Sequence, residues 1–347
     1  MRLFGSRAEV SQAIMDVGLG QWHDQLLALA RPTLRYISGA AAADSAAIGA
    51  SRAGGTPDLP SKLKWPIRPP YPDADVRNIE LRDHPARKLH SYEREQRNRR
   101  RDDIIAKDAL LPFIAQLDLR EAWRKQQFDV DLPQDGRLLF FYDAREHPYG
   151  FDPPDGIGFR ALWDESPVSD LARTAEPAEL AIDCLILPAK ALQCVAGLAL
   201  PEWETFGYEA LNIPVQERDR YCRLIRPYYD LLKEGDFDRL PEIEKVPQHY
   251  LGGWGEPRQS GYMELECELV TMGFSTGGAD RFAGQEAADR ARSRQADWCL
   301  LAQFGCEEFC TEGMEHEWFT GLKLYFWIRR DDLASRRFEN TWVLARP

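Results

Sequence analysis

Leu111-Pro-Phe-Ile-Ala-Gln-Leu117 is followed by a turn glycine, Gly136, by the apolar run Leu138-Leu-Phe-Phe-Tyr142, and by Phe159-Arg-Ala-Leu-Trp163. The same order returns later as Trp298-Cys-Leu-Leu-Ala-Gln-Phe304, Gly321, Leu322-Lys-Leu-Tyr-Phe-Trp-Ile328 and Phe338-Glu-Asn-Thr-Trp342. Short apolar and aromatic runs bounded by turn residues read as buried strands. Their recurrence in fixed order predicts two units, each burying a sheet face against the other. The expected fold class is therefore α+β, with two pseudo-repeated, mainly antiparallel β-sheet units in one compact body and helices at the N-terminus and in the middle. The echoed residues are types that make cores and turns, not acids, bases or nucleophiles.

Working outward, strands are expected at 111–117, 137–142 and 158–163, with Asp135-Gly136 as a turn before the second. The first unit then spans about 47–165, a helical connection about 166–247, and the second unit about 248–347. Residues 1–46 read as an N-terminal helical segment, with Val10, Ile14, Val17, Leu26, Leu27 and Leu29 near helical spacing and Pro32 as a stop. Gly39-Ala-Ala-Ala-Ala43 reads as a linker or short helix. Ser51-Arg-Ala-Gly-Gly-Thr-Pro-Asp-Leu-Pro60 is a structured loop leading onto a sheet, and Leu251-Gly-Gly-Trp-Gly-Glu-Pro-Arg-Gln259 holds the corresponding place in the second unit. Residues 79–107 form an insertion with nine Lys or Arg against six Asp or Glu. It reads as a solvated, salt-bridged helix or as a basic contact arm.

With 44% hydrophobic and 29% charged residues in 347, composition is that of an ordinary globular protein large enough to form a core without staples. No stretch approaches the ~18 uncharged apolar residues of a membrane helix, and residues 1–30 lack the order of a signal peptide. The expected location is cytoplasmic. Seven cysteines in apolar surroundings fit small buried hydrophobes in a reducing compartment. Cys299, Cys306, Cys310 and His316 are of the right types for zinc, but their spacing matches no C-x-x-C pair, so no metal or other cofactor is expected. A net charge of −12 disfavours direct contact with nucleic acid and favours a basic protein partner.

Met263-Glu-Leu-Glu-Cys-Glu-Leu-Val270 alternates with period two and predicts a half-buried strand with Glu264, Glu266 and Glu268 along roughly 13 Å of one face. Such a stripe reads as a solvated or internally paired face, as a partner-binding surface, or, least of all, as a metal or catalytic site. Trp254 at a glycine loop tip is a candidate interface anchor. His249 beside that loop, with Arg258 and Gln259, is a candidate lining of a cleft between the units. No G-x-S-x-G elbow and no phosphate-binding glycine loop is present, and no catalytic residue stands out.

The ordered set Gly54-Gly-Thr-Pro-Asp-Leu-Pro60, Trp65-Pro66, Phe113-Ile-Ala-Gln-Leu-Asp-Leu119, Leu139-Phe-Phe-Tyr-Asp143, His249-Tyr-Leu-Gly-Gly253, Leu300-Leu-Ala-Gln303 and Asp331-Asp-Leu333 resembles the YwqG-like bacterial domain of unknown function from about residue 47 onward. The resemblance implies an α+β fold with two sheet-containing halves, and it transfers no catalytic residues. Some relatives look like immunity proteins made beside secreted antibacterial toxins, such as nucleases delivered by type VI secretion. The expectation is an immunity protein that neutralises a cognate toxin, a basic protein such as a nuclease, by steric and electrostatic occlusion. The alternative is a small-molecule binding protein or enzyme using the cleft between the two repeats.

Overall fold

The computed structural model describes residues 1–42, 47–75, 77, 105–182, 186–203, 205–241, 249–257, 261–277, 284–306 and 322–346. Most of the 79–107 insertion, Arg258, Gln259, Cys310, His316 and Gly321 lie outside them. In chain order the chain forms α1 (Arg7–Asp16), α2 (His23–Ala28), β1 (Arg31–Ala42), β2 (Arg52–Ala53), β3 (Asp58–Pro60), β4 (Ile67–Arg68), β5 (Ala109–Leu110), β6 (Phe113–Asp118) and α3 (Leu119–Lys125). There follow β7 (Arg137–Tyr142), β8 (Phe159–Asp164), β9 (Leu171–Arg173), α4 (Ala178–Ile182), β10 (Lys190–Ala199), α5 (Phe206–Glu209), α6 (Arg218–Ile225) and α7 (Tyr229–Glu234). The last elements are β11 (His249–Gly252), α8 (Met263–Thr271), α9 (Gly284–Arg294), β12 (Trp298–Gly305), β13 (Lys323–Arg329), α10 (Arg330–Ala334) and β14 (Trp342–Arg346). The fold is α+β.

Ten strands make one antiparallel sheet in the order β14-β13-β12-β11-β1-β10-β2-β6-β7-β8. The two echoed stretches are thus three-stranded meanders at opposite ends, β6-β7-β8 and β12-β13-β14, with the long β1–β10 pair between them. Strands β7 and β12 are buried along their whole length, which is why they read as continuous apolar runs. The sheet curls until its ends pack together. Phe140 of β7 lies 5.0 Å from Phe304 and 4.9 Å from Phe326, ring centre to ring centre, and Phe159 lies 5.3 Å from Trp342. Behind the sheet, Val10 and Ile14 of α1 and Leu26 of α2 pack with Tyr221, Leu224 and Ile225 of α6.

The junctions between the central pair and the meanders are built alike. Arg52 pairs with Gln116 and Ala53 with Ala115; at the other end Tyr250 pairs with Gln303 and Leu251 with Ala302. Both junction strands then turn through glycines at positive φ, Gly54 (64°) and Gly55 (70°), Gly252 (69°) and Gly253 (76°). A Cβ on Gly54 would stand 2.1 Å from the Pro188 carbonyl oxygen, and one on Gly252 would stand 3.5 Å from that of Pro32. After each turn a carboxylate residue is pinned by the same contact. The Asp58 N–H donates to Gln116 Oε1 and the Glu256 N–H to Gln303 Oε1, each at 2.9 Å.

Three local expectations change. Gly39–Ala42 continues β1 as strand instead of forming a linker or helix. The middle of the chain is not only helical, because β10 runs through the centre of the sheet. Residues 263–271 form helix α8, not a strand. In that helix Met263, Cys267 and Val270, at i, i+4 and i+7, share the face that enters the main core. Leu, Met and Glu are strong helix formers, so the alternating pattern was compatible with either structure and packing decided for the helix.

Candidate functional site

The helical form of 263–271 dissolves the acidic stripe. Glu264 and Glu268 point inward, 2% and 0% exposed, and Glu266 meets Arg346 of β14. Glu268 is compensated: it accepts from Trp298 Nε1 at 2.9 Å and pairs with Arg329 at 2.5 Å and Arg294 at 3.6 Å. Trp254 is wholly buried, not an exposed tip, and its Nε1–H donates to the Leu29 carbonyl at 2.8 Å. His249 lies buried in β11, with its Nδ1 accepting from the Gly305 N–H at 3.2 Å and its ring beside Phe304. It serves the interior of the sheet. Cys299 and Cys306 are buried, and no group of three or more possible metal ligands occurs among the described residues.

Most buried charges answer a local need. Asp58 accepts from Gly49 N, Gln116 Nε2 and Arg173 Nε, each at 2.8 Å, and from Arg52 at 3.3 Å. Burial would raise its pKa, but these donors hold it below the usual carboxylate value. Arg68 and Asp143, both buried, pair at 2.5 Å. Glu256 is opposed in the same way: burial pushes its pKa up, while Lys323 and the Met1 amino group pull it well below normal. These are scaffold pairs, in which each desolvated ion meets its counter-ion and further donors support the carboxylate.

One place breaks that rule. Arg31, at the start of β1, lays its guanidinium 3.5 Å from the centre of the Trp254 ring and 5.9 Å from that of Phe206. The buried Trp254 is backed by Gly207, where a Cβ would come within 2.5 Å of the indole, so it forms a fixed floor. The guanidinium of half-buried Arg31 makes no hydrogen bond or close ion pair with any described residue. The side chain of Arg330, the first residue of α10 and also half-buried, makes none either. The two repel each other: burial first, then Arg330, lowers the Arg31 pKa to about 10, opposed by Glu264 and Asp129.

Glu264 completes the niche from the first turn of α8. It has no side-chain donor among the described residues, and burial pushes its pKa up to about 7, although its own backbone N–H and Arg31 favour the charged form. Cys299, close to both arginines, is pushed up by burial to about 11 despite Arg330 and Arg31, so it stays a thiol at neutral pH and donates to the Ile328 carbonyl. Two like charges thus lie near each other, one of them on an aromatic floor, beside a carboxyl whose pKa burial raises to about 7.

The sequence expectations placed Trp254 and Glu264 on a protein-docking surface. Both instead adjoin Arg31. The arginines themselves escaped notice, because Arg31 sits in an unremarkable Ala-Arg-Pro step and Arg330 inside Arg-Arg-Asp-Asp. The only signal for Arg330 was its place next to Asp331-Asp-Leu333.

The fold defines an α+β protein built on one curled antiparallel sheet, with Arg31 at the start of β1 close enough to Arg330 of α10 and Glu264 of α8 for their charges to act on it. The chain belongs to the family described as Domain of unknown function (DUF1963), which matches residues 51–345. No curated protein matches the chain. No helix among the described residues is long and apolar enough to cross a membrane.

Proposed function

We propose that this protein is a small-molecule binding protein that holds an acidic group of its ligand against Arg31 and Arg330. The observation that carries this reading is the pair of neighbouring, half-buried arginines whose guanidiniums make no hydrogen bond or close ion pair with a described residue, in a chain whose net charge is −12. Carboxylates outnumber basic groups on this molecule, so a stable scaffold had counter-ions in surplus. Desolvating two like charges side by side costs free energy, and an anion bound between them returns it.

The likeness of the two ends of the sheet supports the same reading. Pro188 and Ala189 contact the first glycine turn as Pro32 and Thr33 contact the second. By that correspondence Leu187 holds the place of Arg31, and Thr56, two residues after Gly54, holds that of Trp254, two after Gly252. Leu187 is simply core. A like junction therefore folds without the arginine, the tryptophan or their electrostatic cost. The test is a thermal-melt panel of carboxylates and phosphate esters at low salt. A ligand at a hundred times its Kd stabilises by about 2.7 kcal/mol, and Arg330→Ala should abolish the shift. A panel that moves the melting temperature of neither protein would reject the reading.

The second reading is an immunity protein of the YwqG-like kind, acting in the cytoplasm on a basic secreted toxin. The net charge of −12 favours it, because an acidic surface speeds encounter with a cationic partner. The glutamates of α8 are not its contact surface, since two of them are buried. A tagged pull-down from cells expressing secretion systems should return one stoichiometric toxin domain after a moderate-salt wash. Recovery of none would remove this reading.

A further inference from the structure

The α1–α2 hairpin precedes the family-matched residues 51–345 and carries chemistry that Arg31 and Arg330 do not use. Helix α1 turns Val10, Ala13 and Ile14 into the core and α2 adds Leu26, so Ser11 and His23 fall at the border of the buried face and are half-buried. Gly18, at a φ of 77°, follows α1 where the chain reverses. The two helices then match side chains in antiparallel order. Arg7 Nη1 donates to the Leu27 carbonyl at 2.9 Å, and one turn further along α1 Ser11 Oγ lies 2.7 Å from His23 Nε2. On the other side of the ring, Asp24 Oδ1 lies 2.8 Å from His23 Nδ1. A carboxylate only accepts, so Nδ1 carries the imidazole proton and Nε2 is left to accept from the Ser11 hydroxyl. This is the order and tautomer in which a histidine takes a proton from a serine nucleophile. Pinning the hairpin needs only the Ser11–His23 contact. Asp24 is fully exposed, where a charged pair adds little to stability, yet it sets the tautomer.

We propose that Ser11 and His23, positioned by Asp24, form a catalytic site that hydrolyses small activated acyl esters. Ser11 Oγ bonds to the acyl carbon while its proton passes to His23 Nε2; the ester C–O or C–S bond then breaks, and the leaving oxygen or sulfur takes that proton. His23 next removes a proton from water, which attacks the seryl ester; the acid is released and the proton returns to Ser11 Oγ. The sum is ester plus water to acid plus alcohol or thiol, with no other reagent. The Ser11 N–H lies within α1 and is committed to the helix, so it offers nothing to the oxyanion. Arg7 is the charge at hand. It is exposed, its Nη1 contact to Leu27 uses one of five N–H donors, and it stands one turn from Ser11, about 6 Å along the axis at 1.5 Å per residue. One mobile guanidinium stabilises an oxyanion less than a fixed backbone pair does. The site is therefore suited to substrates with good leaving groups, aryl esters and thioesters.

The test is reaction of the full chain with diisopropyl fluorophosphate, in which Ser11 Oγ displaces fluoride from phosphorus, followed by peptide mass mapping, with 4-nitrophenyl acetate turnover run in parallel. The wild-type chain should carry the label on Ser11, a result that depends on no variant folding. His23→Gln can still accept from the Ser11 hydroxyl but takes no proton, so it should slow labelling and turnover by about a hundredfold or more. Asp24→Asn should lower kcat by about tenfold or more with KM and the melting temperature unchanged, a split that a merely structural aspartate would not produce. Arg7→Ala should lower kcat/KM by about tenfold. Ser11→Ala should lose label and turnover together. Absence of label from Ser11 in the wild type overturns the proposal. So does an equal labelling rate in His23→Gln, or turnover that persists in Ser11→Ala.

Discussion

A carboxyl whose folded pKa stands above its unfolded one makes the native state the better proton binder, so its contribution to stability is lost as pH rises. Glu264 does this between about 4.5, its ordinary value, and about 7, its value in the fold. The difference corresponds to about 3 kcal/mol, because each pKa unit is worth about 1.4 kcal/mol. Glu264→Gln should therefore match the wild type near pH 4.5 and exceed it by up to about 3 kcal/mol above pH 8, as read by urea melts at both values. An equal difference at the two values would refute the assignment. Glu256 behaves in the opposite sense: its pKa is depressed by Lys323 and the Met1 amino group, so its contribution is present above about 4.5 and fades as pH falls further. Nothing in the sequence separates these two glutamates. Their difference lies in whether a donor arrives from β13 or no side chain arrives at all, and that information is tertiary.

At the scale of elements, the glycine turns and their glutamines are the strongest local constraints. Gly54→Ala places a Cβ 2.1 Å from the Pro188 carbonyl oxygen at a φ of 64°, so the backbone must move; the expected cost is about 3 kcal/mol or more. Gly235, at a φ of 74° with open space around it, should cost about 1 kcal/mol on the same change. Chemical melts of the pair measure the difference, and equal losses would mean that contact with Pro188 is unimportant. Gln116→Ala strands the N–H of Asp58 and removes one of the four donors to its carboxylate, and should cost about 2–4 kcal/mol. Gln303→Ala strands the N–H of Glu256 but leaves its carboxylate on Lys323, and should cost less. The β6, β7 and β8 stretches were legible because apolar runs of strand length between turn signals have few alternatives. The α8 stretch was not: Met263, Cys267 and Val270 satisfy a helical face while Met263, Leu265, Cys267 and Leu269 satisfy a strand face. The α9, β12 and β14 surfaces against which α8 packs choose between them.

Across the whole molecule, the order of strands determines what the local patterns cannot. The echo between the two stretches led to an expectation of two pseudo-repeated sheet units, whereas both meanders belong to one ten-stranded sheet; its central β1–β10 pair comes from stretches that read as helical or connecting, because Ser38-Gly-Ala-Ala carries little strand propensity and Lys190-Ala-Leu-Gln-Cys mixes polar with apolar. Sheet pairing overrides that weakness: β1 pairs with β10 along most of its length and with β11 at Thr33–Tyr36, and β10 also pairs with β2 at Lys190 and Ala191. The niche follows from the same topology: β1 must be central for Arg31 to reach the loop after β11, and the sheet must turn back on itself for Phe140 to meet Phe304 and Phe326. That closure is testable. Phe140→Ala and Phe326→Ala should each cost about 3–5 kcal/mol by emptying a packed core, and because the rings touch at 4.9 Å the double mutant should be less destabilised than the sum by about 0.5–3 kcal/mol. Strict additivity in urea melts would mean that the ends of the sheet do not support each other. If the coupling is present, hydrogen exchange in Phe140→Ala should accelerate in β12 and β13 as well as in β7, because one interior then serves both ends of the sheet.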